Sequence, residues 1–377
     1  MERVIILSMG FGTGHNAAAK ALQTEFESVP DVTAEVVDLL EFTPSSFHPF
    51  LQSGYHHMLK KFPNFYHTLY DWTQQSRVFR YVSAEFIDKV GWMLRPKMKQ
   101  LHQSIRPTRI VTTHPFALAM LPSKWNKYYY TVGVLTDYDL HPLWMAQAPD
   151  YLCTPKGISL DERLREKIQW HYGCKMVETG IPVHRNFIQS ACPTEVRSQL
   201  HLSTAQPVVL VMGGGMGMGP MMELVNELKD LPTMQLVVMT GQNQALHERL
   251  SKEYAHLPIR VEAYRKDMDL WMEAADLLIT KPGGITVSEA IAKRLPMLLY
   301  EPLPGQEEAN QRYLVQQGVA EITSQARVRE QVLRYLQQPE ALMSIHYRLQ
   351  RLQSDDAAKQ IVHLTLSRAK TRAGRIS

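Results

Sequence analysis

Residues 281–310 read KPGGITVSEAIAKRLPMLLYEPLPGQEEAN. Two glycine-bearing turns, Pro282-Gly283-Gly284 and Pro304-Gly305, each open onto a helical pattern, and one short apolar strand, Met297–Tyr300, lies between them. Each helix start presents unpaired backbone N–H groups and the positive end of a dipole, roughly half a charge. Glycine lets a phosphate come close to the backbone. Glu289 falls one to two turns into the first helix, where a carboxylate can grip a ribose, and Gln306, Glu307 and Asn310 open the second with groups suited to sugar hydroxyls. The stretch therefore reads as half of a nucleotide-sugar site on an α/β sheet; two ordinary αβ turns would be the plainer interpretation.

The same alternation extends outward in both directions. Val4–Met9, Ala34–Leu39, Ile110–Thr113, Tyr130–Leu135, Tyr151–Thr154 and Met176–Glu178 are short apolar runs with helical patterns between them. The pattern restarts at Val208–Met212 and continues through Gln235–Thr240, Ile259–Glu262, Leu277–Thr280 and Met297–Tyr300. Such alternation predicts two parallel sheets, each covered on both faces. The boundary is expected near Gly180-Ile-Pro-Val183, giving domains at 1–182 and 183–345, with 346–377 as a terminal helix and basic tail. One segment, about 45–105, breaks the pattern. Within it, residues 47–99 hold twelve aromatics, and Lys60, Lys61, Arg77, Arg80, Lys89, Arg95, Lys97 and Lys99 outnumber Asp71, Glu85 and Asp88. It reads as a helical insertion, suited either to a core or to an interfacial, anionic membrane surface; an RNA-stacking face would use similar residues.

The 377 residues suffice for two domains with sizeable cores. With 45% hydrophobic and 21% charged residues, and a net charge of +4, the composition is that of an ordinary globular protein. Cys153, Cys174 and Cys192 are scattered and form no zinc spacing, which fits a reducing cytosol. MERVIILSMG reads as a strand rather than a signal peptide, and no run of about 20 apolar residues predicts a transmembrane helix.

Three further motifs carry chemistry. Gly10-Phe-Gly12-Thr-Gly14-His15 follows a strand and opens a helix, but His15 stands where a dinucleotide fingerprint has its third glycine. A helix N-terminus disfavours the imidazolium, so a neutral His15 is a candidate general base; a simple helix cap is the alternative. Asp38, ending the second strand, is the residue type for a ribose contact. Thr136-Asp137-Tyr138-Asp139 reads as a metal-binding DxD, a capped strand-end turn, or a place where Asp137 orients a base, with His141 on the same rim. Gly213-Gly214-Gly215-Met216-Gly217-Met218-Gly219 is entropically costly, and close approach of a ligand is the expected reason.

Together these motifs resemble the diacylglycerol glycosyltransferases: the plant and bacterial monogalactosyldiacylglycerol synthases and the processive diacylglycerol glucosyltransferases, relatives of the peptidoglycan lipid II synthase. The resemblance is carried by GFGTGH, TDYDLHPLW, GIPVHRNF, MGGGMGMGP, TKPGGITVSEA and PLPGQEEAN. It implies a GT-B fold, two Rossmann-like domains facing a cleft with the terminal helix crossing back to the first. It implies an inverting enzyme that moves glucose or galactose from a UDP-sugar to a lipid hydroxyl, expected to be that of diacylglycerol, with no metal and no bound cofactor. By the same resemblance, His15 is the base and Asp137 its support, with Gly12, Gly14 and His141 on the acceptor side. Gly213, Gly214 and Gly215 lie near the diphosphate. Lys281, Pro282, Gly283, Gly284 and Thr286 line the nucleotide pocket. Glu289 holds the ribose, Gln306, Glu307 and Asn310 meet sugar or phosphate, and Tyr264 meets the uracil through its backbone. The glycine loop is closer to the galactosyl enzymes and KPGG to the bacterial glucosyl enzymes, so both hexoses stay open. A cytoplasmic protein, peripheral on the inner face of the cell membrane and binding no nucleic acid, is expected. A soluble or isoprenoid acceptor, or a UDP-sugar epimerase or binding protein of the same architecture, is the alternative.

Overall fold

The computed structural model describes residues 1–10, 13–42, 94, 96–122, 125, 128–158 and 162–367. Most of the aromatic and basic insertion, Gly12 and the basic tail from 368 lie outside the described residues. The chain divides into two compact units. One holds Met1–His184 and Ser354–Ser377, with Pro304–Gln306; the other holds Arg185–Leu303 and Glu307–Gln353.

In the first unit, β1 (Glu2–Ser8) leads to α1 (Thr13–Glu27) and β2 (Val32–Asp38). Then follow β3 (Arg109–Thr112), α2 (Pro115–Ala119), β4 (Tyr130–Val134), β5 (Tyr151–Thr154), α3 (Glu162–Tyr172) and β6 (Lys175–Glu178). All pairings are parallel, in the order β2-β1-β3-β4-β5-β6. A strand buried on both faces cannot alternate apolar with polar, which is why β1, β3 and β4 appear as apolar runs. Val4 and Ile6 pack on one face with Ala19, Leu22 and Phe26 of α1, while Ile5 and Leu7 pack on the other with Ile110 and Leu118. Leu94 and Met98 join the second of these layers. Cys153 and Cys174 are buried thiols, and burial pushes each up to about 12.

The second unit runs through α4 (Arg185–Ile188), α5 (Pro193–Gln199), β7 (Val208–Met212), α6 (Met221–Leu228), β8 (Gln235–Met239), α7 (Gln244–Glu253) and β9 (Ile259–Glu262). It continues through α8 (Met268–Ala274), β10 (Leu277–Thr280), α9 (Gly284–Ala292), β11 (Met297–Leu299), α10 (Gln306–Gln316), β12 (Ala320–Ile322), α11 (Gln325–Gln337) and α12 (Pro339–Leu352). Its parallel sheet has the order β12-β11-β10-β7-β8-β9, the doubly wound order of a dinucleotide-binding fold. The expected break at 346 falls inside α12, which belongs to this unit. After Gln353 the chain rejoins the first unit as α13 (Ala357–Leu366), whose Ala358, Ile361 and Val362 pack beside α1 on the β1 face.

In a doubly wound sheet, ligands bind beyond the carboxyl ends of the strands where the strand order reverses. In the first sheet that point lies between β1 and β3, and in the second between β7 and β10. The segments leaving those strands carry His15 and His114 in the first unit and the glycine run and KPGG turn in the second.

Candidate active site

In the first unit, the turn after β1 is clasped by Asp38. Its carboxylate accepts from the Gly10 N–H at 3.1 Å, the Asn16 amide at 2.9 Å and the Leu40 N–H at 3.0 Å. A Cβ on Gly10 would stand 2.5 Å from that carboxylate. Asp38 therefore shapes the turn, and the ribose contact suggested by its residue type is replaced by an internal role.

The shaped turn delivers His15 to the switch point. Its Nδ1 lies 2.9 Å from the Thr113 carbonyl oxygen and 2.9 Å from the Thr136 hydroxyl. A carbonyl only accepts, so Nδ1 carries the hydrogen and Nε2 keeps the lone pair. Burial lowers the His15 pKa, while the charges of Asp137 and Asp38 and the Thr113 hydrogen bond act against that. His15, Thr136, Asp137, Asp139, His141 and Trp144 line one recess. The turn after β4 thus brings Asp137 and His141 to the same place as His15. His141 caps the 3-10 turn Pro142–Met145, its Nδ1 accepting the Leu143 N–H at 3.2 Å.

In the second unit, the KPGG turn is joined to α10 through Lys281. Its ammonium pairs with Glu307, whose other oxygen accepts the Leu303 N–H at 2.9 Å. The Lys281 stem passes over Gly214, where an added Cβ would stand 3.1 Å from Lys281 Cε. Asn310 is fully buried and donates to the Pro282 carbonyl at 2.9 Å, so it braces the KPGG turn instead of opening toward a sugar. The start of α9 has Gly283 as its N-cap, with no side-chain cap and no acid in the first turn. That of α10 carries Glu307 and Glu308. Of the two helix starts, α9 is the one whose dipole and N–H groups suit an anion. Glu289 is half-buried on α9; burial, then the charge of Asp269, raises its carboxyl to about 8.

The glycine run folds chiefly on itself. Met218 N–H donates to Gly213 O at 2.9 Å and Gly217 N–H to Gly214 O at 3.1 Å. Gly217 has φ 61°, and a Cβ there would stand 1.9 Å from the Thr240 carbonyl. Gly219 has φ 106°, and its Cβ would stand 2.3 Å from the ring of Tyr300. That ring is wholly buried, with its hydroxyl 2.9 Å from the Met212 carbonyl. Internal packing thus requires these glycines, where ligand approach had been the expected reason. Gly219→Ala combines a left-handed φ with overpacking, each costing roughly 1–3 kcal/mol. Thermal unfolding is expected to show a midpoint lower by about 5–15 °C, and Gly214→Ala, which shares the left-handed φ (66°) but meets only a flexible lysine stem, a smaller drop.

Residues 15–183 match the family model for monogalactosyldiacylglycerol (MGDG) synthase, and residues 208–361 match that for the glycosyltransferase family 28 C-terminal domain. The chain is a glycosyltransferase. The processive diacylglycerol beta-glucosyltransferase of Bacillus cereus strain B4264 is 28% identical over 367 residues, covering 91% of this chain and 90% of that one. Its counterpart in Bacillus cytotoxicus is 27% identical, covering 97% and 93%. Among solved structures, Acinetobacter baumannii MurG superposes with a TM-score of 0.60 at 16% identity, covering 98% of this chain and all of that one. TcCGT1 in complex with UDP gives 0.61 at 13% identity, covering 97% and 100%. The fold is GT-B.

Within this glycosyltransferase, the remaining predicted residues are distributed as follows. Gly14 and His15 lie in the first turn of α1, and Thr286 in that of α9. Gly215 turns its carbonyl to the Gln242 N–H at 2.9 Å. Tyr264 is 54% exposed on the turn after β9. That turn is held by Arg265, which forks onto Asp267 at 2.9 and 2.7 Å. Gln306 begins α10. Among the described residues no cluster of His, Cys, Asp or Glu is arranged to hold a metal ion. His114, absent from the motifs above, meets His15 edge-on at 4.4 Å between ring centroids. Its signal was available: His114-Pro115 and His141-Pro142 are two His-Pro steps, each just beyond a buried strand.

Proposed function

We propose that this glycosyltransferase moves glucose or galactose from a UDP-sugar to the hydroxyl of diacylglycerol, with inversion, as a peripheral protein on the cytoplasmic face of a membrane. The observation that carries the chemistry is the Thr113 carbonyl on His15 Nδ1, which leaves the Nε2 lone pair for the acceptor hydroxyl. As the hydroxyl oxygen bonds to the anomeric carbon, its proton passes to Nε2. The bond from that carbon to the phosphate oxygen breaks, and UDP leaves with the electron pair. Asp137 favours the imidazolium that forms. The α9 start and the Gly213–Gly215 turn receive the diphosphate, where fixed N–H dipoles stabilise the charge developing on it. Lys281, Pro282, Gly283, Gly284 and Thr286 border the nucleotide, with Glu289 on the ribose and the Tyr264 backbone on the base. Gln306 faces the hexose, and Asn310 serves by holding the turn.

The names of the relatives support the lipid acceptor, and the UDP held by TcCGT1 supports the donor. No helix among the described residues is long and apolar enough to cross a membrane. The test is transfer from UDP-glucose, UDP-galactose and UDP-N-acetylglucosamine to diacylglycerol in vesicles, with the anomeric configuration of the product read by NMR. A β-linked hexosyl lipid from an α-linked donor is expected. An α-linked product removes the single-displacement mechanism, and transfer only to soluble acceptors removes the lipid assignment.

A further inference from the structure

Three histidines meet at the first switch point, and their hydrogen bonds sort them. His114 and His141 each use Nδ1 to accept a backbone N–H two residues on, from Phe116 at 3.1 Å and Leu143 at 3.2 Å. A nitrogen that accepts an N–H carries no hydrogen, so both rings are neutral with the hydrogen on Nε2. Protonating either would set N–H against N–H and break a helix cap. His15 is the opposite case, because its Nδ1 faces a carbonyl and its Nε2 can take a proton without losing a bond. The His114 ring, only 6% exposed, meets the His15 ring edge-on at an interplanar angle of 73°. Asp137 and Asp38 face His15, His141 also faces His114, and Asp139 faces His141. Burial lowers all three histidines, His114 the furthest.

We propose that His114 is a positioning residue for His15: a ring pinned in one neutral tautomer by its helix cap, packed edge-on against the base, that fixes the base's orientation and keeps water from it. The proposal rests on His15 acting as the base. Proton transfer demands that Nε2 be aimed at the hydroxyl, and small misplacements are costly in rate. A wall that cannot itself take up the proton leaves His15 as the acceptor among the three.

His114→Asn separates the ring from the cap, since an asparagine oxygen can accept the same N–H. His114→Phe does the reverse. His15 Cε1–H is followed by NMR through a pH titration of the ligand-free protein, and kcat and KM are measured across the same range. In His114→Asn the midpoint of unfolding is expected to stay near that of the wild type. Water reaching His15 should raise its titration midpoint by roughly half a pH unit or more, and the acidic limb of kcat/KM should follow. kcat is expected to fall about tenfold with KM little changed. His114→Phe should lose stability yet keep the His15 titration low. A folded His114→Asn with the His15 titration unmoved and kcat within about twofold of wild type overturns the proposal. Full activity in His15→Ala would instead remove the base assignment, with the NMR titration still reporting on the packing.

Discussion

His15→Ala is expected to lower kcat for glycosyl transfer by roughly 10²–10⁴-fold. The magnitude follows from what a positioned base contributes when a neutral hydroxyl must lose its proton in the transition state. Donor affinity should barely move, because the residues assigned to the nucleotide belong to the other unit. UDP binding by calorimetry therefore serves as the control. The pH dependence of the wild type should carry the same signature. Burial lowers the His15 pKa, so the lone pair persists, and kcat/KM stays flat, below the ordinary histidine value of 6.5. The linked stability effect has the opposite cost. Unfolded chains bind protons at these histidines near pH 6.5 while the folded protein resists, so stability should decline as pH falls below that value. A His15→Ala enzyme with an intact UDP affinity and wild-type turnover would show that the acceptor is deprotonated elsewhere.

What could be read without coordinates follows the range of the interactions involved. Parallel strands announce themselves because burial on both faces demands continuous apolar runs, and nearly every expected strand lies where its run lies. β12 was not among the expected strands: Ala320–Ile322 is three residues long and has Glu321 at its centre, too little to stand out. Candidate site residues were legible as chemical types, and their partners were not. Asp38 clasps groups 22 and 28 residues away. Asn310 reaches back 28 residues to Pro282. Neither spacing has a local signature, so a carboxylate and an amide that stabilise turns resemble ones that hold ligands. The glycine run shows the same limit. A need for missing Cβ atoms is visible in the sequence, but whether a ligand or Tyr300 fills the space depends on a strand 81 residues further on from Gly219. His114 shares a His-Pro step with His141, but its ring contact with His15, 99 residues earlier, leaves no local mark.

Glu289 carries the second large effect, and here the sign decides the test. Burial, then Asp269, raises its carboxyl to about 8 from an ordinary 4.5. Between those values the unfolded chain has released the proton and the folded chain retains it. Stability should therefore fall as pH rises through that window, by at most about 1.4 kcal/mol per unit. Glu289→Gln removes the titration, so its unfolding midpoint should be nearly flat there and exceed that of the wild type at pH 8. Binding should pull the other way. Two ribose hydroxyls donating to the carboxylate favour its charged form, so UDP binding at pH 7 should release close to one proton. Calorimetry in buffers of different protonation enthalpy measures this directly. A glutamine supplies one acceptor in place of two and no charge, and a charge-assisted hydrogen bond is worth roughly 1.5–3 kcal/mol. Glu289→Gln should then weaken UDP by about 10- to 150-fold while stabilising the ligand-free protein. That opposition separates a binding residue from a structural one: a glutamate that only packed would change stability, leaving UDP affinity and proton release as they were.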